Sequence, residues 1–192
     1  MDGFANLLDE LCCGEDERAE AALTHLAAWG SEVVEPLRKR LFNAEVDVRW
    51  WAVRALAEVD DPRVPHLLVK ALSDPDRAVR WCAGLALRKH PTEEAAATLL
   101  NLLSDDEALT RRLAGDALTA IGSPVVPQLI DLSQNGVHAG RLEAVRALAR
   151  IGDQRSIPAL FEALDDHSAL IAYWANEGLE KMGVGMVFYR PE

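Results

Sequence analysis

A small residue recurs along this chain at a nearly constant spacing of 30 or 31 positions. Three, four and seven positions after it, most copies carry further small or apolar side chains, and these offsets share one face of an α-helix. The pattern predicts one helix, closely packed on that face and repeated about six times. Counted from a degenerate first copy, the recurring alanines are Ala22, Ala52, Ala83, Ala114, Ala144 and Ala175.

Turn-forming residues bound this repeated helix on both sides. Nine positions before the alanine stands Asn or Asp, which we expect to cap the first turn with a side-chain oxygen. Eight positions after it, glycine is the commonest residue, as expected where a helix ends in the left-handed conformation. The expected N-caps are Asn43, Asp74, Asp105, Asn135 and Asp166, and the expected glycine stops are Gly30, Gly122, Gly152 and Gly183.

In each copy a shorter helix precedes the alanine-bearing helix, which is therefore the second helix of the copy. The shorter helix often has proline in its first turn, where a missing N–H costs little. The two helices form a hairpin, so we expect an all-α chain organised as a single domain, residues 1–192. Its predicted parts are a degenerate capping repeat at 1–30, repeats at 31–60, 61–90, 91–122, 123–152 and 153–183, and a tail at 184–192. The apolar tail is expected to fold back over the last hairpin, or alternatively to engage a partner or another copy.

Bulk properties narrow the classes of partner. The formal net charge is -11, which argues against a nucleic acid or an anionic membrane as the partner of the whole surface. The first residues show neither a basic n-region nor an apolar run, and no stretch approaches the length of a membrane span. Three cysteines, two of them adjacent, make a poor disulfide framework. We therefore expect a cytoplasmic protein that binds neither membranes nor nucleic acids.

The segment Asp74 to Leu87 resembles the HEAT-like repeats of the phycobilin-lyase (PBS lyase) type, through its sequence Asp-Pro-Asp-Arg-Ala-Val-Arg-Trp-Cys-Ala-Gly-Leu-Ala-Leu. The resemblance extends over roughly residues 31–183. It implies a right-handed α-solenoid of about six hairpins, with the first helices on the convex side and the second helices lining a concave groove. That family includes scaffolds, bilin lyases and a DNA-glycosylase branch, so the resemblance specifies the fold and leaves the function open.

The face of the second helix opposite the buried one carries the candidate binding residues. Offsets of -2, +2 and +5 from the alanine point away from the core and so into the implied groove. Trp, Tyr and Arg, which dominate binding hot spots, are frequent there, and the excess of arginine favours an acidic peptide or protein. The candidates are Trp50, Arg54, Trp81, Arg88, Arg112, Asp116, Arg146 and Tyr173. For Trp50 and Trp81, packing between repeats is an equally open alternative.

A column of arginines stands three positions before the alanine, at the edge of the buried face. We expect it to bridge neighbouring repeats through carboxylates such as Asp47, Asp76 or Glu107. The column consists of Arg49, Arg80, Arg111 and Arg141.

Asp116 is the one carboxylate among the candidate residues, which leaves two interpretations of it. The first is an ion pair with Arg112 or Arg146. The second, implied by the resemblance to the glycosylase branch, is electrostatic stabilisation of a sugar cation as a damaged base leaves. The net charge of -11 and the arginine at position 112, where that branch favours an aromatic residue, speak against the second.

Other sequence features give little support to catalysis. The five histidines are scattered without metal-ligand spacing, and no phosphate-binding loop or nucleophile motif occurs. The sequence therefore favours a non-enzymatic, monomeric adaptor that binds a partner protein or peptide in its groove without cofactor or metal. The alternative is an enzyme or enzyme subunit of the bilin-lyase or DNA-glycosylase kind.

Overall fold

The computed structural model describes residues 2–184, and these residues form α-helices joined by short turns and 3-10 segments. No β-strand occurs in that range, so the all-α prediction is confirmed. The predicted tail at 184–192 lies outside the described residues apart from Val184. The chain divides into two compact units, Met1–Ala95 and Ala96–Glu192. The organisation as one domain stays a prediction.

Each unit consists of three helical hairpins. The first unit contains α1 (Asp2–Leu11), α2 (Asp16–Leu26), α3 (Val34–Arg40), α4 (Val46–Leu56), α5 (Val64–Ala71) and α6 (Arg77–Lys89). The second contains α7 (Ala96–Leu102), α8 (Ala108–Ile121), α9 (Val126–Asn135), α10 (His138–Ile151), α11 (Ile157–Ala163) and α12 (Ala169–Lys181). Within the second unit, α10 packs against both α8 and α12, so the second helices of successive hairpins lie side by side.

The second helices begin two residues later than the sequence predicted. Asp74 is not the N-cap of α6, because Asp76 holds that position and accepts a hydrogen bond from the Ala78 backbone N–H at 2.8 Å. Asp74 instead accepts from the Asp76 backbone N–H at 2.9 Å, in an Asx turn that leads into the helix. The same turn is formed by Asn43, Asp105 and Asp166. Asn135 is the last residue of α9, so its assignment as a cap was wrong.

The recurring alanines and the small residues after them form the core, as predicted. Ala52, Ala83 and Ala175 are completely buried. Gly178 stands where the other copies have a second alanine, and a Cβ built on it would lie 2.8 Å from the Cα of Ala149 on α10. The approach of α12 to α10 therefore requires glycine at this position, since no side chain can be accommodated against backbone atoms so close.

Two of the column arginines connect successive hairpins, but through different carboxylates from those expected. The Arg49 guanidinium donates to both carboxylate oxygens of Asp74, at 2.7 and 3.0 Å, and Nη2 of Arg141 donates to Oδ2 of Asp166. Burial alone would raise the pKa of Asp74, but the hydrogen bonds from Arg49 and the Asp76 backbone more than offset this and lower it. The bridging acid is thus the Asx-turn aspartate of the next repeat.

No single helix among residues 2–184 is both long and apolar enough to cross a membrane. One adjacent pair, Ala108–Ile121 with Ser123–Asn135, reaches the required length and composition together, but it is bent by 112°.

Candidate partner-binding site

The first unit places its four candidate residues on α4 and α6. Trp50 is half-buried and packs edge-on against the buried Trp51, with ring centroids 4.8 Å apart. Arg54 donates to Glu58 at 2.7 Å, which is one turn further along. Trp50 therefore has a packing contact with Trp51 and remains partly exposed.

The α6 candidates of the first unit differ in exposure. Trp81 is half-buried, and the guanidinium of Arg77 lies 5.4 Å from its ring centroid, in cation–π range. Arg88 is exposed. Next to Trp81, the Cys82 thiol is buried, and that burial raises its pKa to about 12. The thiol is therefore protonated at neutral pH and serves as an apolar core group.

The second unit brings together Arg112, Asp116 and Arg146, which the sequence placed in one groove. A single oxygen of Asp116, Oδ1, accepts a hydrogen bond from Nη2 of Arg146 at 2.6 Å, while Nε of Arg112 lies 3.9 Å away. Of the two interpretations of Asp116, the structure shows the ion pair. Arg150 of α10, which sequence reasoning missed, donates to the same oxygen. The sequence feature that could have identified Arg150 is its spacing, because it follows Arg146 by four positions and so lies on the same helix face.

Arg146 differs from the prediction, because its side chain is only 1% exposed and cannot line an open groove. Gly115 on α8 lies against the buried side chains of Arg146 and Glu143: a Cβ there would be in ordinary contact with Nη2 of Arg146, at 3.6 Å, but would crowd Oε2 of Glu143, at 3.2 Å. Glu143, a second residue that the sequence reasoning missed, approaches Nε of Arg146 to 3.3 Å. The cost of burying Arg146 lowers the pKa of its guanidinium.

The remaining candidate, Tyr173, lies on α12 and is 53% exposed, with its ring edge-on to Trp174 at 5.4 Å. Among the described residues, no group of three His, Cys, Asp or Glu side chains is arranged to hold a metal ion. The second unit therefore presents a charged cluster with two exposed arginines, Arg112 and Arg150, and an exposed aromatic ring, all on second helices.

Comparison with known proteins shows what this chain is similar to. A family model described as HEAT repeats matches residues 4–88, 34–119 and 65–140. A model described as PBS lyase HEAT-like repeat matches residues 140–166. Among curated proteins, no similar sequence was found.

Several solved structures are similar to the chain. The complex of CpcE and CpcF of phycocyanin lyase from Nostoc sp. PCC7120 has a TM-score of 0.61 at 23% identity, over 76% of this chain and 98% of that one. A designed armadillo repeat protein in complex with the peptide (KR)4 has a TM-score of 0.57 at 20% identity, over 92% of this chain and 98% of that one. Human deoxyhypusine hydroxylase in complex with glycerol has a TM-score of 0.53 at 24% identity, over 94% of this chain and 73% of that one. These likenesses confirm the solenoid fold class.

Proposed function

Because the chain belongs to the family of HEAT-repeat proteins, we propose that it is a non-enzymatic adaptor that binds an acidic segment of a partner protein. The observation that carries this proposal is the convergence of three arginines on one carboxylate oxygen in the second unit. In a protein of net charge -11, such a concentration of positive charge favours a negatively charged partner at this point of the surface.

Two of the similar structures support protein binding as the role. One is a designed armadillo repeat protein solved with a bound peptide, and the other is a complex between two protein chains. The peptide of the designed protein is made of lysine and arginine, whereas the cluster in this chain is rich in arginine. We therefore propose the opposite preference here, with aspartate or glutamate side chains as the recognised groups.

The candidate residues on the first unit are proposed to contribute a separate, aromatic contact surface. Trp81 and Trp50 are both half-buried, so each side chain remains partly exposed to a partner. We also propose that the protein is a monomer in the cytoplasm, where its three free cysteines would remain reduced. Light scattering coupled to size exclusion measures the oligomeric state directly.

The test of the proposed function is fluorescence anisotropy with labelled peptides. A glutamate-rich peptide, its glutamine counterpart and a lysine-rich peptide are titrated with the protein across a salt series, beside a DNA duplex. The glutamate peptide should bind, with an affinity that falls as salt rises. Equal binding of the glutamine peptide, or duplex binding with a steep salt slope, would refute the proposal.

A second function, as an enzyme subunit of the bilin-lyase kind, is kept because the phycocyanin lyase complex is among the similar structures. Its test is the absorbance spectrum of a linear tetrapyrrole mixed with the protein. A shifted spectrum that depends on Tyr173 or Trp81 would favour this role over the adaptor.

A further inference from the structure

The charged cluster around Asp116 holds more positive charge than its internal carboxylates neutralise. Three arginines, Arg112, Arg146 and Arg150, share the single oxygen Oδ1 of Asp116. Glu143 adds one negative charge, beside Arg146. The cluster therefore carries three positive and two negative side chains, so one guanidinium has no matching acid within it.

A purely structural ion pair in this same chain looks different. Arg49 and Asp74 pair one to one, with two hydrogen bonds from one guanidinium to the two oxygens of one carboxylate. Both side chains are nearly buried and the pair connects two hairpins, while the nearby Arg80 donates to the backbone carbonyl of Asp74 rather than to its carboxylate. The cluster at Asp116 goes beyond what such a connection needs, because one arginine would suffice to neutralise one carboxylate.

The hydrogen bonding of the cluster is also incomplete. Nε and Nη1 of Arg146 are buried and donate to no hydrogen-bond acceptor within residues 2–184, and Oε2 of Glu143 accepts from no donor there. The guanidinium of Arg112 makes no hydrogen bond in the same range, since its Nε stops 3.9 Å short of Asp116. Beyond the burial of Arg146, the charges of Arg112 and Arg150 repel its guanidinium and help to lower its pKa.

Two arginines of the cluster are exposed to solvent, and its other members are largely buried. The side chains of Arg112 and Arg150 are 52% and 40% exposed, whereas Asp116 is 13% exposed. A ligand arriving from solvent therefore meets the two exposed guanidiniums first. Between them they offer several unused N–H donors, which suit the two oxygens of a carboxylate.

We propose that Arg112 and Arg150 form a receptor for one carboxylate of the partner, an aspartate or glutamate side chain. Asp116 competes internally for the same guanidiniums and so limits the affinity, while the buried Arg146 keeps the base of the site positive. This inference rests on the proposed function and names its recognition element. Bound carboxylate supplies the missing negative charge and lowers the repulsion among the three arginines.

The test compares binding of the glutamate-rich peptide by four proteins. Arg112→Gln with Arg150→Gln should weaken binding by about tenfold or more. Arg18→Gln with Arg38→Gln, two exposed arginines of the first unit that pair with glutamates, removes the same charge and should change affinity less than about twofold. Asp116→Asn should tighten binding by about fivefold, because it removes the internal competitor.

The tightening by Asp116→Asn is the readout that a merely structural role would not produce. Circular dichroism verifies that each variant is folded. In the wild-type protein, the side-chain Nε–Hε resonances of Arg112 and Arg150 are followed by NMR during the same titration and should shift together.

Provided that the glutamate peptide binds the wild type, the outcomes distinguish the two proposals. If the glutamate peptide binds wild type and the Arg112/Arg150 double variant equally, the carboxylate receptor is wrong while the adaptor role survives. Unshifted Arg112 and Arg150 resonances at saturation overturn the receptor in the same way. If no acidic peptide binds the wild type at all, both proposals fail.

Discussion

Arg146 offers the sharpest test of how the second unit is held together. Replacing it with methionine keeps a long, flexible side chain in the same space and removes the guanidinium. Glu143 then loses its partner, and Asp116 loses a hydrogen bond of 2.6 Å. Because Arg146 is 1% exposed and Glu143 is 12% exposed, solvent can replace little of that interaction.

The expected loss follows from the burial of both groups. Removing one member of a buried ion pair costs about 3 to 5 kcal/mol, since an uncompensated charge remains inside. Asp116 keeps Arg150 and Arg112 as partners, so we expect a loss of unfolding free energy at the lower end of this range, about 3 kcal/mol. For a chain of this length that corresponds to a fall in Tm of about 6 to 12 °C.

The assay is urea denaturation followed by circular dichroism on three variants. Arg146→Met alone should be strongly destabilised, whereas Arg146→Met with Glu143→Leu should recover to within about 1 kcal/mol of wild type, because no unpaired charge is left. Arg38→Gln, which breaks an exposed pair, is the control and should change stability by less than about 1 kcal/mol. If Arg146→Met alone is as stable as this control, the buried ion pair does not stabilise the second unit as proposed.

Four further predictions concern other parts of the chain. Gly178→Ala should cost about 1 to 3 kcal/mol, since its Cβ would meet the α10 backbone, while the neighbouring exposed Glu177→Ala should be neutral in the same urea titration. Asp74 has a depressed pKa, so its contribution is present above its unfolded pKa of about 4 and is lost as pH falls through the folded value. The stability difference between wild type and Asp74→Asn should therefore be largest near neutral pH and shrink in acid; a difference that grows in acid would contradict the pairing. Cys82 should resist iodoacetamide in the native protein and react only after denaturation, as mass spectrometry of the labelled peptides would show. Trp81→Ala should weaken partner binding with little loss of Tm, and a large fall in Tm would instead make the ring part of the core.

The repeat and its core could be predicted from the sequence because small residues at fixed helical offsets allow only one buried face. Ala52, Ala83 and Ala175 are buried for that reason. The helix starts were predicted two residues too early. At α6 the reason is that Asp74 uses the same chemistry, a side-chain oxygen accepting a backbone N–H, in an Asx turn before the helix. The sequence shows the acceptor but not which turn it serves.

The candidate site was predicted less completely than the core. The offset of Arg146 indicated an exposed side chain, but its guanidinium bonds to Asp116 on the neighbouring helix α8 and is buried there. Such burial depends on two helices at once, which a pattern within one helix cannot show. Arg150 was overlooked because its offset lies at the edge of the exposed face, and only the packing of α10 against α8 brings it to Asp116.

The most direct test of the account is hydrogen–deuterium exchange of the whole protein with and without a saturating glutamate-rich peptide. The account predicts slower exchange in α8 and α10 of the second unit, around Arg112 and Arg150, and no such change when the double variant at these two positions is used. Protection confined to the first helices α7, α9 and α11, with α8 and α10 unchanged, would contradict it.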